Sequence, residues 1–388
     1  MIVANFMDSS LVDLQAKGVF SSVPQTYNPG DAYDRVIHFS PHARDLSISP
    51  ALREHRIELV VHPLSGLSPL KFVCTLAMLW RLFGRERIDI VRGRLPYLGS
   101  LVGGLAARLR GIPFVVSLGG DNRMPQERNN TFYYNSRFLS YGMEKLVLLL
   151  ANRVIVPNRF TQAYVESIVG VRRAAARCVV IPWQSEPVNA TGSDDAVLLA
   201  PLGLPTDAAI VPIVGFINRY KYSDVLFQML AKAPLVLPDG RPVVFCFAGD
   251  GPLRVEALDR FKDRSEVRLP GGRPPPIVAA PVRRAAAVVI PMSGFVLLEA
   301  ASLGKPVVTS SVEWHEELVQ DGKTGLLVAP ESAEAWRAAI VRLLSSPQEA
   351  RAMGERLLAA YGRDYAPEAC VAAEHRLYET LTGKRISA

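Results

Sequence analysis

The sequence has few cysteines and no long apolar run without charges. Cys74, Cys178, Cys246 and Cys370 lie far apart in the 388 residues, and none belongs to a Cys-x-x-Cys pair. This spacing excludes a zinc ribbon and a disulfide framework and is typical of buried thiols in a reducing compartment. No apolar run reaches the roughly 18–20 residues that a membrane span needs. The start, MIVANFMDSSLVDLQ, lacks the basic and apolar segments of a signal peptide. We therefore expect a cytoplasmic protein.

Acidic residues are scarce in the first half of the chain. Residues 1–190 carry 22 Lys and Arg against 14 Asp and Glu, whereas residues 191–388 carry 22 against 23. A basic half predicts an anionic partner, and a solvated surface of arbitrary sign is the alternative. Because no base-stacking aromatic motif accompanies the basic residues, we expect no nucleic acid partner.

Short apolar strand patterns alternate with helical patterns in both halves. They include IELVVHPL, IDIVRGR and IPFVVSLGG in the first half, and IVPIVGFI, PVVFCFAGD and AAVVIP in the second. Fully apolar strands separated by helices are typical of parallel strands buried on both faces. The sequence therefore predicts an α/β protein with two doubly wound sheets.

A segment rich in Pro, Gly, Ser and Asp separates the two halves. We expect one domain over 1–187, a linker over 188–209 and a second domain over 210–388. The last helix either completes the second domain or packs back on the first. In sheets of this type, ligands bind at the carboxyl ends of the strands.

Two turns of the second half carry residues suited to a nucleotide. The strand PIVGFI reaches Gly215 and is followed by Arg219 and Lys221, two cations that suit a diphosphate. Their alternative interpretation is a solvated surface pair. The strand FCFA runs into the turn Gly249, Asp250, Gly251, which predicts either the wall of a nucleotide site or a tight turn that needs glycine.

The segment SGFVLLEAASLG predicts a helix that begins near Gly294. Backbone N–H groups at a helix start favour an anion. Glu299 lies farther along this apolar segment and could accept two hydrogen bonds from a ribose diol. The alternative is a glutamate that interacts with the dipole of its own helix.

Taken in order, the motifs of the second half resemble a known family. VGFINRYKYSDVLFQML, FCFAGDGPLRVEAL, SGFVLLEAASLGKPVVTS and ELVQDGKTGLLVAP are similar to the C-terminal half of the retaining glycosyltransferases of family four. Residues 1–190 resemble that family more loosely, in IDIVRGRLPYLGSLVGGLAARLRGIPFVVSLGGD and EKLVLLLANRVIVPNRF. The resemblance implies the GT-B fold, in which two Rossmann-like domains face each other across a cleft.

The resemblance also implies roles for individual residues. Lys221 corresponds to the lysine that binds the donor diphosphate, with Arg219 close by, and we take both as catalytic cations. Glu299 corresponds to the glutamate that holds the nucleotide ribose. The remaining donor-side candidates are Gly215, Gly249, Asp250, Gly251, Ser293, Gly294, Phe295 and Glu317, the last with its role left open. The acceptor-side candidates, in the loop SLGGDN, are Gly119, Gly120, Asp121 and Asn122. A capping role after the strand is the alternative for Asp121 and Asn122.

The chain departs from the family pattern at three positions. Pro291 stands where the first glutamate of the paired-glutamate motif is expected, in a segment that is shortened, and Ser293 is the nearest residue to the missing carboxylate. Phe216 replaces an arginine, and Gly119 replaces the acceptor-loop histidine. These changes bear on recognition of the donor sugar and on catalysis.

The sequence predicts sugar transfer from a nucleotide-diphosphate sugar, with retention and without a metal. No acidic pair stands where a metal is wanted, since SDDAV lies in the linker and predicts a solvated turn. The charge on the leaving diphosphate would then be stabilised by the two cations and the helix start. No protein nucleophile is nominated and no cofactor is expected.

The acceptor is expected to be a glycan or a lipid-linked molecule. The helical segment LKFVCTLAMLWRLFGRER has cations around an apolar middle, which predicts either a peripheral contact with an anionic membrane at its inner face or a helix that covers the sheet. For that helix, Phe72, Val73, Leu76, Leu79, Leu82 and Phe83 form the expected buried face.

Two other functions fit the same scaffold. One is a nucleotide-sugar epimerase, although of six histidines only His315 lies near the donor segment. The other is a degenerate protein that binds a nucleotide sugar or a partner without turnover.

Overall fold

The structure, a computed structural model, divides the chain into two compact units. It describes residues 1–16, 18, 20–64, 66–129, 132–183, 195–205, 207–292 and 294–386. The first unit comprises Met1–Gln184 and Pro367–Ala388, and the second unit comprises Ser185–Ala366. The end of the chain therefore belongs to the first unit.

The first unit is built on a parallel sheet with helices between its strands. Its strands are β1 (Ile2–Phe6), β2 (Arg35–Ser40), β3 (Ile57–Val61), β4 (Ile90–Gly93), β5 (Phe114–Ser117), β6 (Arg153–Val156) and β7 (Cys178–Val180). Its helices up to β7 are α1 (Leu11–Ala16), α2 (Val23–Tyr27), α3 (Ser49–Arg53), α4 (Pro69–Glu86), α5 (Leu98–Arg110), α6 (Arg123–Asn129), α7 (Arg137–Leu150), α8 (Arg159–Val169) and α9 (Val171–Arg177).

The strand order in this sheet is β3-β2-β1-β4-β5-β6-β7, and every pairing is parallel. The order reverses between β1 and β4, which makes this point the ligand-binding position expected of a doubly wound sheet. Helices α4, α5 and α7 pack side by side over one shared core, to which Leu79, Phe83, Val102 and Val147 contribute. Their starts are set locally, as where the Ser68 hydroxyl accepts a hydrogen bond from the Lys71 N–H and caps α4.

The second unit repeats this architecture on a second parallel sheet. Its strands are β8 (Ala209–Val214), β9 (Val243–Ala248), β10 (Val267–Arg268), β11 (Val288–Ile290), β12 (Val307–Ser310) and β13 (Leu326–Val328). Its helices are α10 (Asp195–Leu199), α11 (Ser223–Leu230), α12 (Arg254–Arg260), α13 (Pro275–Arg283), α14 (Phe295–Ser302), α15 (His315–Leu318), α16 (Ala333–Ser345) and α17 (Pro347–Asp364). The order β10-β9-β8-β11-β12-β13 reverses between β8 and β11.

Part of the predicted linker is folded into the second unit. Asp195 begins α10, and its carboxylate forms an ion pair with Arg283 at 2.6 Å. Leu199 and Leu202 are buried in an apolar cluster with strand residues such as Ile210. The prediction that SDDAV forms a solvated turn is therefore wrong for Asp195, because the Arg283 contact lies 88 positions away and leaves no local signal.

The last helix, α18 (Pro367–Thr382), packs on the first unit. Its Glu374 is buried and pairs with the buried Arg92 of β4 at 3.3 Å, and the Tyr378 hydroxyl donates to the same carboxylate at 2.8 Å. Cys370 and Tyr378 join an apolar cluster with strand residues such as Val36. In the described part of the chain, no helix combines the length and the apolarity needed to cross a membrane.

Candidate functional site

Three loops of the second unit leave one edge of its sheet. Strands β8, β11 and β12 are neighbours, with β11 between the other two. Because the strands are parallel, the loops that follow Val214, Ile290 and Ser310 start at the same edge. This edge holds many of the residues predicted to bind a donor.

Lys221 lies where the end of β8 meets the start of α14. Its N–H donates to the Asn218 side chain at 2.9 Å, which closes a single 3-10 turn. A Cβ added to Gly294 would lie 3.7 Å from the Lys221 Nζ, and one added to Gly215 would lie 3.6 Å from it. Burial lowers the pKa of Lys221, and the nearby Glu313 carboxylate acts in the opposite sense. The site therefore contains a half-buried cation at a helix start.

Arg219, predicted as the second catalytic cation, lies at the surface. Its side chain is 77 % exposed, and the guanidinium pairs with Asp224 at 3.6 Å. For Arg219, this geometry fits the alternative interpretation, in which the cation lies in solvent at the surface. Of the two predicted cations, only Lys221 has its side chain packed beside the strand ends, near Gly215 and Gly294.

The glycines of the second turn are required by close backbone packing. A Cβ added to Gly249 would collide with the carbonyl oxygen of Gly215, and one added to Gly251 would collide with that of Ile217. Asp250 is exposed, and its side chain accepts the Gly251 N–H at 2.8 Å. The turn after β9 thus supports the turn after β8, which carries Lys221.

No side chain among the described residues caps the start of helix α14. Gly294 is its N-cap residue, and Phe295, the first helical residue, is 50 % exposed. Ser293, predicted beside them, lies outside the described residues. Glu299 is the fifth residue of the helix. Because it lies beyond the first turn, an interaction with the dipole of its own helix does not explain a glutamate at this position. Burial raises its pKa, and its carboxylate has no hydrogen bond or ion pair within the described residues.

The loop between β12 and α15 contributes a carboxylate that the sequence analysis missed. Glu317, the predicted residue, is exposed on α15. Glu313, four positions earlier, is half-buried and accepts a hydrogen bond from the Tyr220 hydroxyl at 3.3 Å. The only local signal was an acidic residue shortly after a buried strand, in SSVEW. Its significance comes from the contact with Tyr220, 93 positions away.

His315 is a buried neutral imidazole beside this site. Its Nδ1 lies 2.9 Å from the Ser310 carbonyl oxygen, which can only accept, so the proton is on Nδ1. The Thr309 hydroxyl donates to the Ile290 carbonyl and is therefore free to accept from the same Nδ1–H at 2.7 Å. The pKa of His315 is lowered to about 4, mainly by burial; the hydrogen bond to the Ser310 carbonyl raises the pKa, and the charge of Lys221 contributes to the lowering. Its Nε2 is an unprotonated acceptor without a partner in the described structure.

The predicted acceptor-side residues follow β5 in the first unit. A Cβ added to Gly119 would make only an ordinary contact, and one added to Gly120 would meet open space. Asp121 accepts the N–H groups of Arg123 and Met124, at 2.8 and 3.0 Å, and therefore caps α6. Asn122 donates to the buried Glu144 at 3.2 Å. Asp121 therefore has the capping role that is the alternative to acceptor binding.

A cleft of about 340 Å³ lies beside this loop. The aromatic rings of Tyr97 and Tyr133 stack at its wall with centroids 3.9 Å apart. Asp121, Asn122 and Gln126 also line it. The cleft combines an aromatic surface with side chains that can form hydrogen bonds.

The strand ends near β1 hold a buried polar network. The Asn5 amide bonds to the His38 Nδ1 at 2.9 Å and accepts from Arg94 at 2.9 Å. Burial lowers the pKa of His38 to about 3. Asp8 accepts the Gly99 N–H at 3.2 Å, and burial raises the pKa of this carboxyl to about 6 despite that hydrogen bond.

Two family descriptions match the chain in succession. Glycosyltransferase Family 4 matches residues 32–183, and Glycosyl transferases group 1 matches residues 211–346. The two ranges together span more than half of the sequence. Each range lies within one of the two units, since the division falls at residue 184.

Curated relatives resemble part of the chain. The D-inositol 3-phosphate glycosyltransferase of Segniliparus rotundus is 32 % identical over 178 residues, which are 44 % of this chain and 40 % of that protein. That of Nocardia farcinica is 29 % identical over 232 residues, 56 % of this chain and 50 % of that protein. The chain thus spans about half the length, or less, of these relatives.

Solved structures share the fold over nearly the whole chain. Anabaena Alr3699/HepE in complex with UDP has a TM-score of 0.73 at 18 % identity, covering 99 % of this chain and 100 % of that one. The sucrose-phosphate synthase of Thermosynechococcus elongatus has a TM-score of 0.70 at 21 % identity, covering 99 % of each chain. These likenesses confirm the predicted fold class. The two parallel α/β units and the two successive family matches together show that the chain belongs to glycosyltransferase family 4, with the GT-B fold.

Proposed function

We propose that the chain is a glycosyltransferase that moves a sugar from a nucleotide-diphosphate sugar to a glycan or lipid-linked acceptor. The observation that carries the proposal is the Nζ of Lys221 beside Gly294, at a helix start that no described side chain caps. An ammonium group and the N–H groups of a helix start both favour a phosphate. The family of the chain and the named activity of its relatives support this reaction class.

The donor occupies the edge formed by β8, β11 and β12. Glu299 accepts the two ribose hydroxyls, since its desolvated carboxylate has no partner among the described residues and a diol supplies two donors. UDP-glucose is the first donor to test, because the Anabaena protein of the same fold has been crystallised with UDP and with UDP-glucose. The acceptor binds in the first unit, in the cleft beside Tyr97 and Tyr133.

Transfer requires stabilisation of the negative charge on the leaving diphosphate. A helix start contributes about 0.3–2 kcal/mol, and one positioned donor in a dry site contributes about 3–4 kcal/mol. Lys221 therefore supplies the larger share, and the reaction needs no metal ion. The acceptor oxygen bonds to the anomeric carbon from the leaving-group face as the sugar–phosphate bond breaks, and its proton passes to the diphosphate. The product retains the anomeric configuration.

Calorimetric titration tests the donor site. The wild-type protein is expected to bind UDP and UDP-glucose, and Glu299→Ala is expected to weaken both ligands about 10-fold or more through loss of the ribose contact. Glu316→Ala, an exposed glutamate of the second unit, is the matched control. If neither UDP nor GDP nor their sugar conjugates bind, the proposal is wrong.

A product assay separates the proposed activity from the two alternatives. Incubation of the bound donor with lipid-linked and glycan acceptors is expected to give a glycosylated product with the donor's anomeric configuration, with EDTA present. An isomerised sugar formed without acceptor would indicate an epimerase. Tight binding with no product from any acceptor would indicate a degenerate binding protein.

The outer face of α4 supports a peripheral membrane contact. Leu79 and Phe83 are buried against the sheet, as predicted for a covering helix, but Val73, predicted on that buried face, is 62 % exposed. Leu70 is 74 % exposed, and Trp80 is also exposed. The helix therefore presents apolar side chains on two faces, only one of which is covered by the first unit.

Cations accompany the exposed apolar side chains on α4 and on the helices packed beside it. On α4, α5 and α7, every exposed charged residue is a cation: Lys71, Arg81, Arg85, Arg108, Arg110, Arg137 and Lys145. Arg110 lies 3.8 Å above the Trp80 ring, which joins the end of α5 to this face. Exposed apolar side chains together with exposed cations suit the inner face of an anionic membrane, where a lipid-linked acceptor would be held.

Vesicle sedimentation tests this contact. The protein is expected to sediment with vesicles that contain phosphatidylglycerol and to stay in solution with phosphatidylcholine alone. Leu70→Ser combined with Val73→Ser is expected to abolish sedimentation. Val255→Ser removes an apolar side chain that is 77 % exposed on the second unit and serves as the control. Equal sedimentation of all variants would contradict the membrane contact.

A further inference from the structure

We propose that Glu313 binds hydroxyl groups of the donor sugar, an inference that rests on the proposed function. Glu313 lies in the loop between β12 and α15, and it accepts the Tyr220 hydroxyl at 3.3 Å. Tyr220 and Lys221 are adjacent in the loop after β8. The carboxylate is close enough to Lys221 to favour the charged form of that ammonium.

The sheet order locates this carboxylate above the start of α14. Strands β8 and β12 lie on either side of β11, so they are two strand spacings, about 10 Å, apart. A contact between Tyr220 and Glu313 must therefore bridge the end of β11. The chain that leaves this end leads directly to Gly294 and α14. Glu313 thus lies over the helix start that is proposed to hold the diphosphate.

The chemistry of this position favours a sugar as the ligand. An ionised carboxylate repels a diphosphate, so Glu313 is not a ligand for the phosphates themselves. The sugar is attached to the outer phosphate, and its hydroxyls are the nearest uncharged donors. An ionised carboxylate accepts about four hydrogen bonds, and the Tyr220 hydroxyl is one of the donors to Glu313. A vicinal pair of sugar hydroxyls is a ligand of matching chemistry, because it donates two hydrogen bonds.

The backbone of Glu313 supports a functional role. Its φ is +51°, in the left-handed region that few residues other than glycine adopt. Such conformations cluster at ligand-binding sites, where the surrounding structure enforces them. A glycine at this position would relieve the strain but would remove the carboxylate. The shortened segment between Pro291 and Gly294 also carries no acidic side chain of its own, so the neighbouring loop supplies one.

The competing explanation is that Glu313 only orients Lys221. The two roles predict that different ligands lose affinity when the carboxylate is removed. If Glu313 binds the sugar, only the sugar conjugate loses affinity. If it orients Lys221, the free nucleotide diphosphate loses as much affinity as the conjugate.

The experiment compares UDP with UDP-glucose, and GDP with GDP-mannose, by calorimetric titration of wild type and Glu313→Gln. For the pair that wild type binds, the conjugate is expected to bind Glu313→Gln about 10- to 100-fold more weakly. The free diphosphate is expected to bind with unchanged or slightly higher affinity, because a repelling charge has been removed. Glu316→Gln, an exposed carboxylate in the same region, is the control and is expected to bind like wild type.

A second variant separates function from folding. Glu313→Gly is expected to keep or raise the Tm, because glycine accepts the left-handed backbone, and to lose affinity for the conjugate as Glu313→Gln does. A fall in Tm together with equal losses for diphosphate and conjugate would overturn the inference in favour of a structural role.

The remaining outcomes also distinguish the two proposals. If wild type binds the conjugate and Glu313→Gln binds it equally well, this inference is wrong and the proposed function stands. If wild type binds none of the four ligands, both are wrong.

Discussion

The two units share one type of sheet but differ in what fills the carboxyl ends of their strands. In the first unit the polar groups near β1 bond to one another, as Asn5 does to His38 and Arg94. In the second unit the corresponding edge consists of glycine-rich backbone around one desolvated cation, Lys221 beside Gly294. The first edge is mostly bonded within itself, with the buried His38 Nε2 as an exception that has no partner among the described residues. The second edge presents a cation at a helix start that no described side chain caps.

The desolvated carboxylates of the two units show the same contrast. Burial raises the pKa of both Asp8 and Glu299. Asp8 is held by the Gly99 N–H, whereas Glu299 has no partner among the residues that the structure describes. A buried charge without a partner costs free energy, and a ligand that hydrogen-bonds to it recovers that cost. Evidence for a ligand is therefore stronger in the second unit.

The largest effect is expected where the first unit depends on the end of the chain. Glu374→Ala leaves the buried Arg92 without its partner and is expected to cost about 3–5 kcal/mol of unfolding free energy. Lys384→Ala, which breaks the surface pair with Asp89, is expected to cost about 1 kcal/mol or less. Urea unfolding measures both. If the costs are equal, α18 is not an essential part of the first unit.

The next effect concerns activity in the second unit. Lys221→Ala is expected to lower kcat about 100- to 1,000-fold, because the developing diphosphate charge loses its main cation, while the Tm changes little. Lys305→Ala is the control, since burial also lowers the pKa of Lys305 but this lysine precedes β12, at the opposite edge of the sheet. Arg219→Ala is expected to have a smaller effect than Lys221→Ala. Unchanged kcat in Lys221→Ala would remove this lysine from the mechanism.

The glycine loops of the two units are expected to respond differently to alanine. Gly249→Ala forces a collision with the Gly215 carbonyl and is expected to cost about 3 kcal/mol. Gly120→Ala points into open space and is expected to be tolerated. Thermal unfolding compares the two variants. Equal Tm values would mean that the turn after β9 can move away from β8.

The smallest effect is a pH dependence in the first unit. The Asp8 pKa is raised from 3.8 to about 6, so ionisation of this carboxyl disfavours the folded state. Its stabilising contribution is complete below pH 3.8 and is lost as the pH rises through about 6. Asp8→Asn is therefore expected to gain on the order of 2 kcal/mol at pH 8 and little at pH 4.5. A variant that is destabilised equally at both pH values would contradict this origin.

Much of the fold was readable because the strand patterns are local. The apolar segments FCFA and VVIP become β9 and β11, with the buried faces expected of a parallel sheet. The sequence also predicts that Lys221, Gly294 and Glu299 lie at one edge of the sheet, because each follows a predicted parallel strand. Arg219 follows β8 as Lys221 does, and Glu317 lies on α15 after β12, yet both side chains are exposed. Loop membership was predictable, but the direction of each side chain was not.

Glu313 and Arg92 show what could not be predicted. Their partners, Tyr220 and Glu374, are 93 and 282 positions away. An isolated acidic residue after a strand is common, and an arginine inside a strand pattern gives no hint of a helix at the end of the chain. Only the folded structure shows the hydrogen-bond and ion-pair partners of these two charges.

The sequence by itself determined the alternation of strands and helices, the family, and the loops that can hold a donor. These features depend on the period of apolar residues and on the spacing of glycine and charge within short segments. The tertiary structure decided which loop residues meet, that the last helix completes the first unit, and which face of α4 stays uncovered. Those outcomes depend on strand order and on contacts between distant segments, which no local pattern encodes.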